Sequence, residues 1–254
     1  MITIGLQITT WLQENLSGMT GFFMLISNLG IEEFYLALLP LIYWSVDKRV
    51  GKALAFLFLL STGINQTLKD LLRGPRPFWI DPSLTEWEET GFGVPSNHMQ
   101  NATIIYFYLA AEVRKRWFWF LAVLLVFLMA VSRMMLAAHF LHDVVLGFLV
   151  ALLMLALFFW LRRKRGAQFN ERILGQRLLV MLLIPLGLGV GYLLIQWLLP
   201  EPAPGLDWAS FIPGAVREGQ EVIVTAVATL TGFGIGIMME GSRVRFRTDG
   251  PVWE

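Results

Sequence analysis

Residues 132–143 place Ser132, Arg133, His139, His142 and Asp143 between two strongly apolar stretches. Ionisable side chains at the edge of a hydrocarbon layer are costly and need a reason to be there. If the chain is helical from Ala138 onward, His139 and Asp143 stand four apart and share a face. A carboxylate at that spacing can orient an imidazole acting as nucleophile or base. A satisfied polar patch at a helix end, or a lone Arg133–Asp143 ion pair, explains the same residues equally well.

Two earlier stretches shift the balance. Lys69 and Arg76 frame a run ending in Arg76-Pro77, and Pro95-Ser96-Asn97-His98 forms a short turn before another apolar segment. Lys69, Arg76 and Arg133 converging on one spot would make a cradle for a phosphoryl group. Such a group carries its charge on peripheral oxygens that a guanidinium fork matches in pairs. Ser96 could add a hydroxyl, and the turn opens a helix whose free N–H groups favour anions. Arg73 lies between Lys69 and Arg76 but reads as a surface charge facing headgroups. A metal site made of His98, His139 and Asp143 has suitable ligand types, but the neighbouring cations would repel a divalent ion. No metal and no cofactor is expected.

In order, K-x6-R-P from Lys69, P-S-N-H from Pro95 and S-R-x5-H-x3-D from Ser132 resemble the three-part signature of the type 2 phosphatidic acid phosphatase family, within the vanadium-haloperoxidase-like superfamily. The resemblance covers residues 69–143. It implies that His139 attacks phosphorus and Asp143 holds its ring. His98 then protonates the leaving alkoxide and later activates water. Lys69, Arg76, Ser96, Asn97 and Arg133 are implied to bind the phosphate. Asn97 stands where the family usually has glycine. Asparagine tolerates the left-handed backbone region, so the turn is expected to survive while the added amide narrows the pocket. His142 falls outside the signature and reads as an interfacial or substrate-lining side chain.

Composition sets the surroundings. The chain has 254 residues, 56% of them hydrophobic and only 15% charged, with mean hydropathy +0.61. A soluble domain of this length carries more charge. A net charge of +1 with no basic, aromatic-interleaved stripe argues against a nucleic-acid partner. The absence of cysteine excludes disulfides, thiolate chemistry and zinc–thiolate sites. The N-terminus lacks the basic region and cleavage site of a secretory signal, so the chain reads as mature from its first residue.

The elements that must position the site are membrane helices. Apolar segments at about 32–46, 51–71, 97–112, 117–136, 139–161, 176–199 and 220–239 predict an all-α polytopic bundle of six to seven spans with a haloperoxidase-like phosphatase core. Residues 1–29 are expected to form an amphipathic or interfacial segment, with Ile4, Ile8, Trp11 and Leu12 opposite Gln7, Gln13 and Glu14. Residues 30–165 hold the core and all three motifs, and 166–254 add two helices and a tail. The basic clusters at 48–52, 114–116, 162–177 and 243–247 all follow odd-numbered spans, while Lys69, Arg73, Arg76, Arg133 and Arg217 lie on the other side. The positive-inside rule then puts the C-terminus in the cytoplasm and every motif on the extracytoplasmic face.

Several other features read as structural. Trp117–Phe120 suits an interfacial belt. Gly187, Gly189, Gly191, Gly232, Gly234 and Gly236 suit close helix packing. The acidic loop with Asp81, Glu86, Glu88 and Glu89 reads as a solvated face which, opposite an anion site, would disfavour non-lipid polyanions. The expected protein is thus a metal-independent phosphatase of the cytoplasmic membrane. Its expected partners are the bilayer and a lipid phosphate or diphosphate. Phosphotransfer to another alcohol, or a non-catalytic lipid or anion binder, are the alternatives. Retention of both histidines and Asp143 weighs against the latter.

Overall fold

The computed structural model describes residues 2–200 and 205–244, the side chain of Asn170 excepted. Arg245, Arg247 and positions 201–204 of the proline-rich connection lie outside the described residues. Ten α-helices follow in chain order: α1 (Ile2–Leu16), α2 (Thr20–Asn28), α3 (Glu32–Ser45), α4 (Lys48–Leu72), α5 (Pro77–Ile80), α6 (Asn97–Val113), α7 (Arg116–Met135), α8 (Leu141–Glu171), α9 (Leu174–Leu198) and α10 (Ile212–Met239). No strand occurs among the described residues.

Helix α6 is the hub. It packs on α4, α7 and α8, and Met99–Tyr106, Tyr108 and Ala110 are all buried. Polar side chains fix its register against α4. Ser61 Oγ donates to Asn101 Oδ1 at 2.7 Å, Asn65 Nδ2 to Gln100 Oε1 at 2.9 Å, and Gln100 Nε2 to Ser61 Oγ at 2.9 Å. Lipid tails are as apolar as leucine, so mutual hydrogen bonds and tight packing hold such helices together. Around this polar seam lies an apolar core with Tyr35 and Leu39 of α3, Leu54 and Leu57 of α4, Ile104 and Ile105 of α6, and Val126 and Met129 of α7. Phe120, Phe127, Leu153, Leu193 and Trp197 point outward, forming the apolar surface a bilayer requires.

Each of the seven segments read as spans from the sequence is helical over most of its length, with breaks of one or two residues at some ends. By length and composition, four helices are long and apolar enough to cross a membrane: Arg116–Met135, Leu141–Phe169, Leu174–Leu198 and the helical run Ala209–Val244. A fifth arises if Ile2–Asn28 and Glu32–Ser45, bent by 46°, form one broken span. Helices α4 and α6 fall short by polarity and by length. The first carries Asn65, Gln66, Lys69 and Asp70, the second is only 17 residues long, and both bury their polar groups inside the bundle.

Two local expectations need correction. Gln13 does not face away from the protein, because its amide donates to the carbonyls of Leu84 at 2.9 Å and Met135 at 3.0 Å. Ile4 and Trp11 are instead exposed while Leu12 is buried. Among the glycines expected to bring helices together, a methyl at Gly234 would come within 3.0 Å of Met181 Cβ, but Gly187, Gly191, Gly232 and Gly236 have open space beside them.

Candidate active site

The three motifs meet at one end of the bundle, where α4 ends, α6 begins and α7 passes to α8. The basic clusters sit at the opposite end, where Arg162 pairs with Glu112 and Lys48 with Glu240.

Each motif residue is delivered by a helix terminus. Lys69 occupies the last turn of α4, 7% exposed, and α4 stops at Arg73, whose φ of 47° is left-handed. Arg73 then turns outward, donating to Asp70 O at 3.1 Å and Pro200 O at 2.7 Å. Helix α7 likewise stops at a left-handed residue, Ala137 (φ 53°). The amides of Ala138 and His139 both return to Arg133 O. This hairpin aims His139 back at Arg133.

Arg76 is 1% exposed and fully engaged. Its Nε donates to Gly91 O at 2.8 Å, Nη2 to Thr90 O at 2.9 Å and Phe92 O at 3.4 Å, and Nη1 to Ala138 O at 3.0 Å. Nη1 also lies 3.5 Å from His139 Nε2. Arg133, 0% exposed, is held from the side by Ser27 Oγ of α2, and Ser132 Oγ donates to Phe23 O at 2.7 Å. The N-terminal helices thus support the site directly.

Glu89 sits where the cations converge. Its Oε2 accepts from Arg76 Nη1 at 2.8 Å and its Oε1 pairs with Arg133 Nη2. The same carboxylate lies 3.7 Å from His139 Nε2 and 3.8 Å from His98 Nδ1. Burial opposes its charge, but the guanidinium groups of Arg133 and Arg76 outweigh that effect and hold its carboxyl well below the usual carboxylate range. Burial, reinforced by Arg76, likewise holds the His139 imidazole well below its ordinary value, which favours its neutral form.

The His139–Asp143 pair forms differently from expectation. His139 is not helical: α8 begins at Leu141, Phe140 caps it, and Asp143 Oδ2 accepts from Phe140 N at 2.8 Å. His139 Nδ1 still faces Asp143 Oδ2 at 3.6 Å, beyond hydrogen-bond distance. His142 stacks on Phe140 (5.4 Å, 11°).

The turn at 95–98 corrects one expectation, the left-handed backbone at Asn97. Ser96 is completely buried and its hydroxyl caps α6, 3.5 Å from Met99 N. Asn97 is the first residue of α6 with ordinary right-handed geometry, so the position demands no left-handed backbone. Its amide oxygen accepts from Asn101 Nδ2 at 3.0 Å. Asn97 and His98 line a cavity of about 320 Å³ with Lys69, Arg76, Glu89 and Glu218. An apolar groove of about 360 Å³ between α3, α4 and α10 shares Phe58 with that cavity. Among the described residues, no three His, Asp or Glu side chains converge as metal ligands.

Residues that the motifs did not signal hold this geometry. A methyl on Gly147 of α8 would meet Ser96 O at 2.5 Å, and one on Gly93 would meet Pro75 O at 2.7 Å. A methyl on Gly30 would come within 2.8 Å of His98 Cδ2.

These features define a class: a multi-pass helical membrane protein with a histidine-flanked cluster of buried cations at one end of its bundle. Residues 51–167 match the family model described as the PAP2 superfamily, and the chain carries a domain of that family. The fold is shared with the transmembrane PAP2-type phosphatidylglycerolphosphate phosphatase of Bacillus subtilis, with TM-score 0.54, 23% identity, and coverage of 64% of this chain and 86% of that one. Among curated relatives, mouse sphingosine-1-phosphate phosphatase 2 is 30% identical over 51% of this chain and 38% of its own length. Bovine glucose-6-phosphatase catalytic subunit 1 is 26% identical over 98% of this chain and 78% of its own length. Lipid phosphate phosphatase delta of Arabidopsis thaliana is 30% identical over 52% and 35%. The relatives that share this domain are named for lipid and sugar phosphates, and the chain spans well under half the length of the sphingosine-1-phosphate phosphatases it matches.

Proposed function

We propose that this protein hydrolyses a lipid phosphate monoester or diphosphate through a phosphohistidine, without a metal, at the extracytoplasmic face of a cytoplasmic membrane. The observation that carries this reading is the Glu89 carboxylate, because it marks the point where Arg76, Arg133, His139 and His98 all reach one anion. With a phosphoryl group there, His139 Nε2 forms a bond to phosphorus as the bond to the leaving oxygen breaks. His98 gives that oxygen a proton, and Asp143 steadies the ring from its Nδ1 side. Water then attacks phosphorus, His98 accepts its proton, and phosphate leaves with His139 regenerated. Arg76, Arg133 and Lys69 stabilise the charge that spreads over the peripheral oxygens.

A lipid substrate is favoured by the largely apolar groove that shares Phe58 with the polar cavity, which would take an alkyl chain. The named activities of the sphingosine-1-phosphate relatives make a sphingoid-base phosphate the first candidate, beside phosphatidic acid, phosphatidylglycerol phosphate and undecaprenyl diphosphate. A second reading, a sugar phosphate, rests on the near full-length match to glucose-6-phosphatase. The test is phosphate release by the detergent-purified protein with EDTA present, from these lipids and from glucose 6-phosphate. Lipid-dependent release that survives EDTA supports the proposal. Release from the sugar phosphate alone, or abolition by EDTA, sinks it.

A further inference from the structure

Glu89 belongs to none of the three motifs, yet it fills the centre of the site they build. One carboxylate oxygen is on Arg76 and the other on Arg133, with an imidazole nitrogen within 4 Å of each. Two oxygens of a bound phosphoryl group would make the same contacts. We propose that Glu89 is a displaceable internal occupant of the phosphoryl site. Any phosphate ligand must evict it, and it thereby decides which anions bind. The inference rests on the reading of Arg76, Arg133 and Lys69 as the phosphoryl cradle.

Three observations make eviction feasible. Arg76 keeps its backbone acceptors at Thr90, Gly91, Phe92 and Ala138, and Arg133 keeps Ser27, so the cradle survives without the carboxylate. Glu89 retains 17% exposure, which places it at the rim rather than in the core. Glu88, Glu89 and Thr90 also line a second cavity of about 360 Å³ walled by Phe78, Trp79 and Phe211. The segment is thus a partition between two spaces, and the second offers room on the far side of Glu89.

The consequence is selective. If only a fraction of molecules has the site vacant, every ligand of that site is weakened by the same factor. A phosphoryl dianion brings two charges where the carboxylate brings one, but a free phosphate has nothing further to offer. A substrate with an alkyl chain adds apolar burial and still binds. Product phosphate, stripped of its chain, is expelled as the carboxylate returns.

The test uses the full chain in detergent. The affinity for inorganic phosphate is measured by calorimetry for the wild type, Glu89→Gln, Glu89→Asp and Glu86→Gln. Glu89→Gln should tighten phosphate by about tenfold or more, with the KM for a hydrolysed phosphate monoester falling by the same factor, as a common vacancy cost requires. Glu89→Asp, a methylene too short to span both guanidinium groups, should tighten phosphate by a smaller factor, and it carries the test should the glutamine variant fail to fold. Glu86→Gln removes the same charge from the same loop at an exposed position that lines neither cavity, and should change phosphate affinity less than about twofold. Unchanged or weaker phosphate binding in folded Glu89 variants, or a Glu86→Gln effect equal to that of Glu89→Gln, overturns the inference. Phosphate binding is read without turnover, so a failure to hydrolyse any lipid would sink the proposed function and leave this result standing.

Discussion

Replacing Arg76 with lysine keeps the charge and removes the fork. Arg76 spreads its donors over Gly91 O, Thr90 O, Phe92 O, Ala138 O and Glu89. A lysine ammonium has three donors, against five in a guanidinium, so at least two of these acceptors lose their partner. A buried acceptor left unsatisfied costs about 1–3 kcal/mol, and the substitution should therefore destabilise the protein by about 2–6 kcal/mol. Arg133 offers the internal control. Among the described residues its side-chain hydrogen bonds go to Ser27 Oγ and Glu89, which one ammonium could satisfy together. Thermal unfolding in detergent should show a much larger loss for Arg76→Lys than for Arg133→Lys, although both lose activity. Equal losses would refute the view that Arg76 ties the 89–92 loop to the 137–139 hairpin as well as binding phosphate.

Further outcomes follow from the packing and the titration. Gly147→Ala should destabilise by about 1–3 kcal/mol through overpacking against Ser96 O, whereas helix propensity alone predicts a gain of about 1 kcal/mol; thermal unfolding reads the sign. Gly30→Ala pushes on the His98 ring and should lower kcat more than it lowers stability, as steady-state kinetics with a melting curve will show. The His139 imidazole is held below its ordinary value of 6.5, so it stays unprotonated in the folded protein as pH falls through 6.5. The acid limb of kcat/KM should then lie below pH 6.5, and a limb at 6.5 or above contradicts the assigned environment. In the unfolded chain the same ring takes up a proton below 6.5, so its linkage costs stability as pH falls through that value.

The motifs were legible because each pairs an unusual residue type with a helix end. Lys69, Arg76, His98, Arg133, His139 and Asp143 are unusual residue types beside apolar runs, and all six gather at one end of the bundle. The seven apolar segments were equally legible as helices. The polar seam of Ser61, Asn65, Gln100 and Asn101 was missed, though amides inside apolar spans are a usable signal. Glu89 was seen only as part of an acidic loop, since nothing local says which of four acids turns inward. Ser27 and Gly147 act through partners more than fifty residues away, a distance that spacing arguments do not bridge. The spacing of His139 to Asp143 fits a helix. The left-handed Ala137 breaks that helix and keeps the pair through a cap instead.

The most direct measurement of the central claim is covalent trapping. The protein is mixed with a radiolabelled lipid phosphate in EDTA, quenched with alkali within one turnover, and digested. The account predicts label on the peptide containing His139, stable to alkali, labile to acid, and absent from His139→Ala. Turnover with no label on that peptide, or label that persists in His139→Ala, would contradict it.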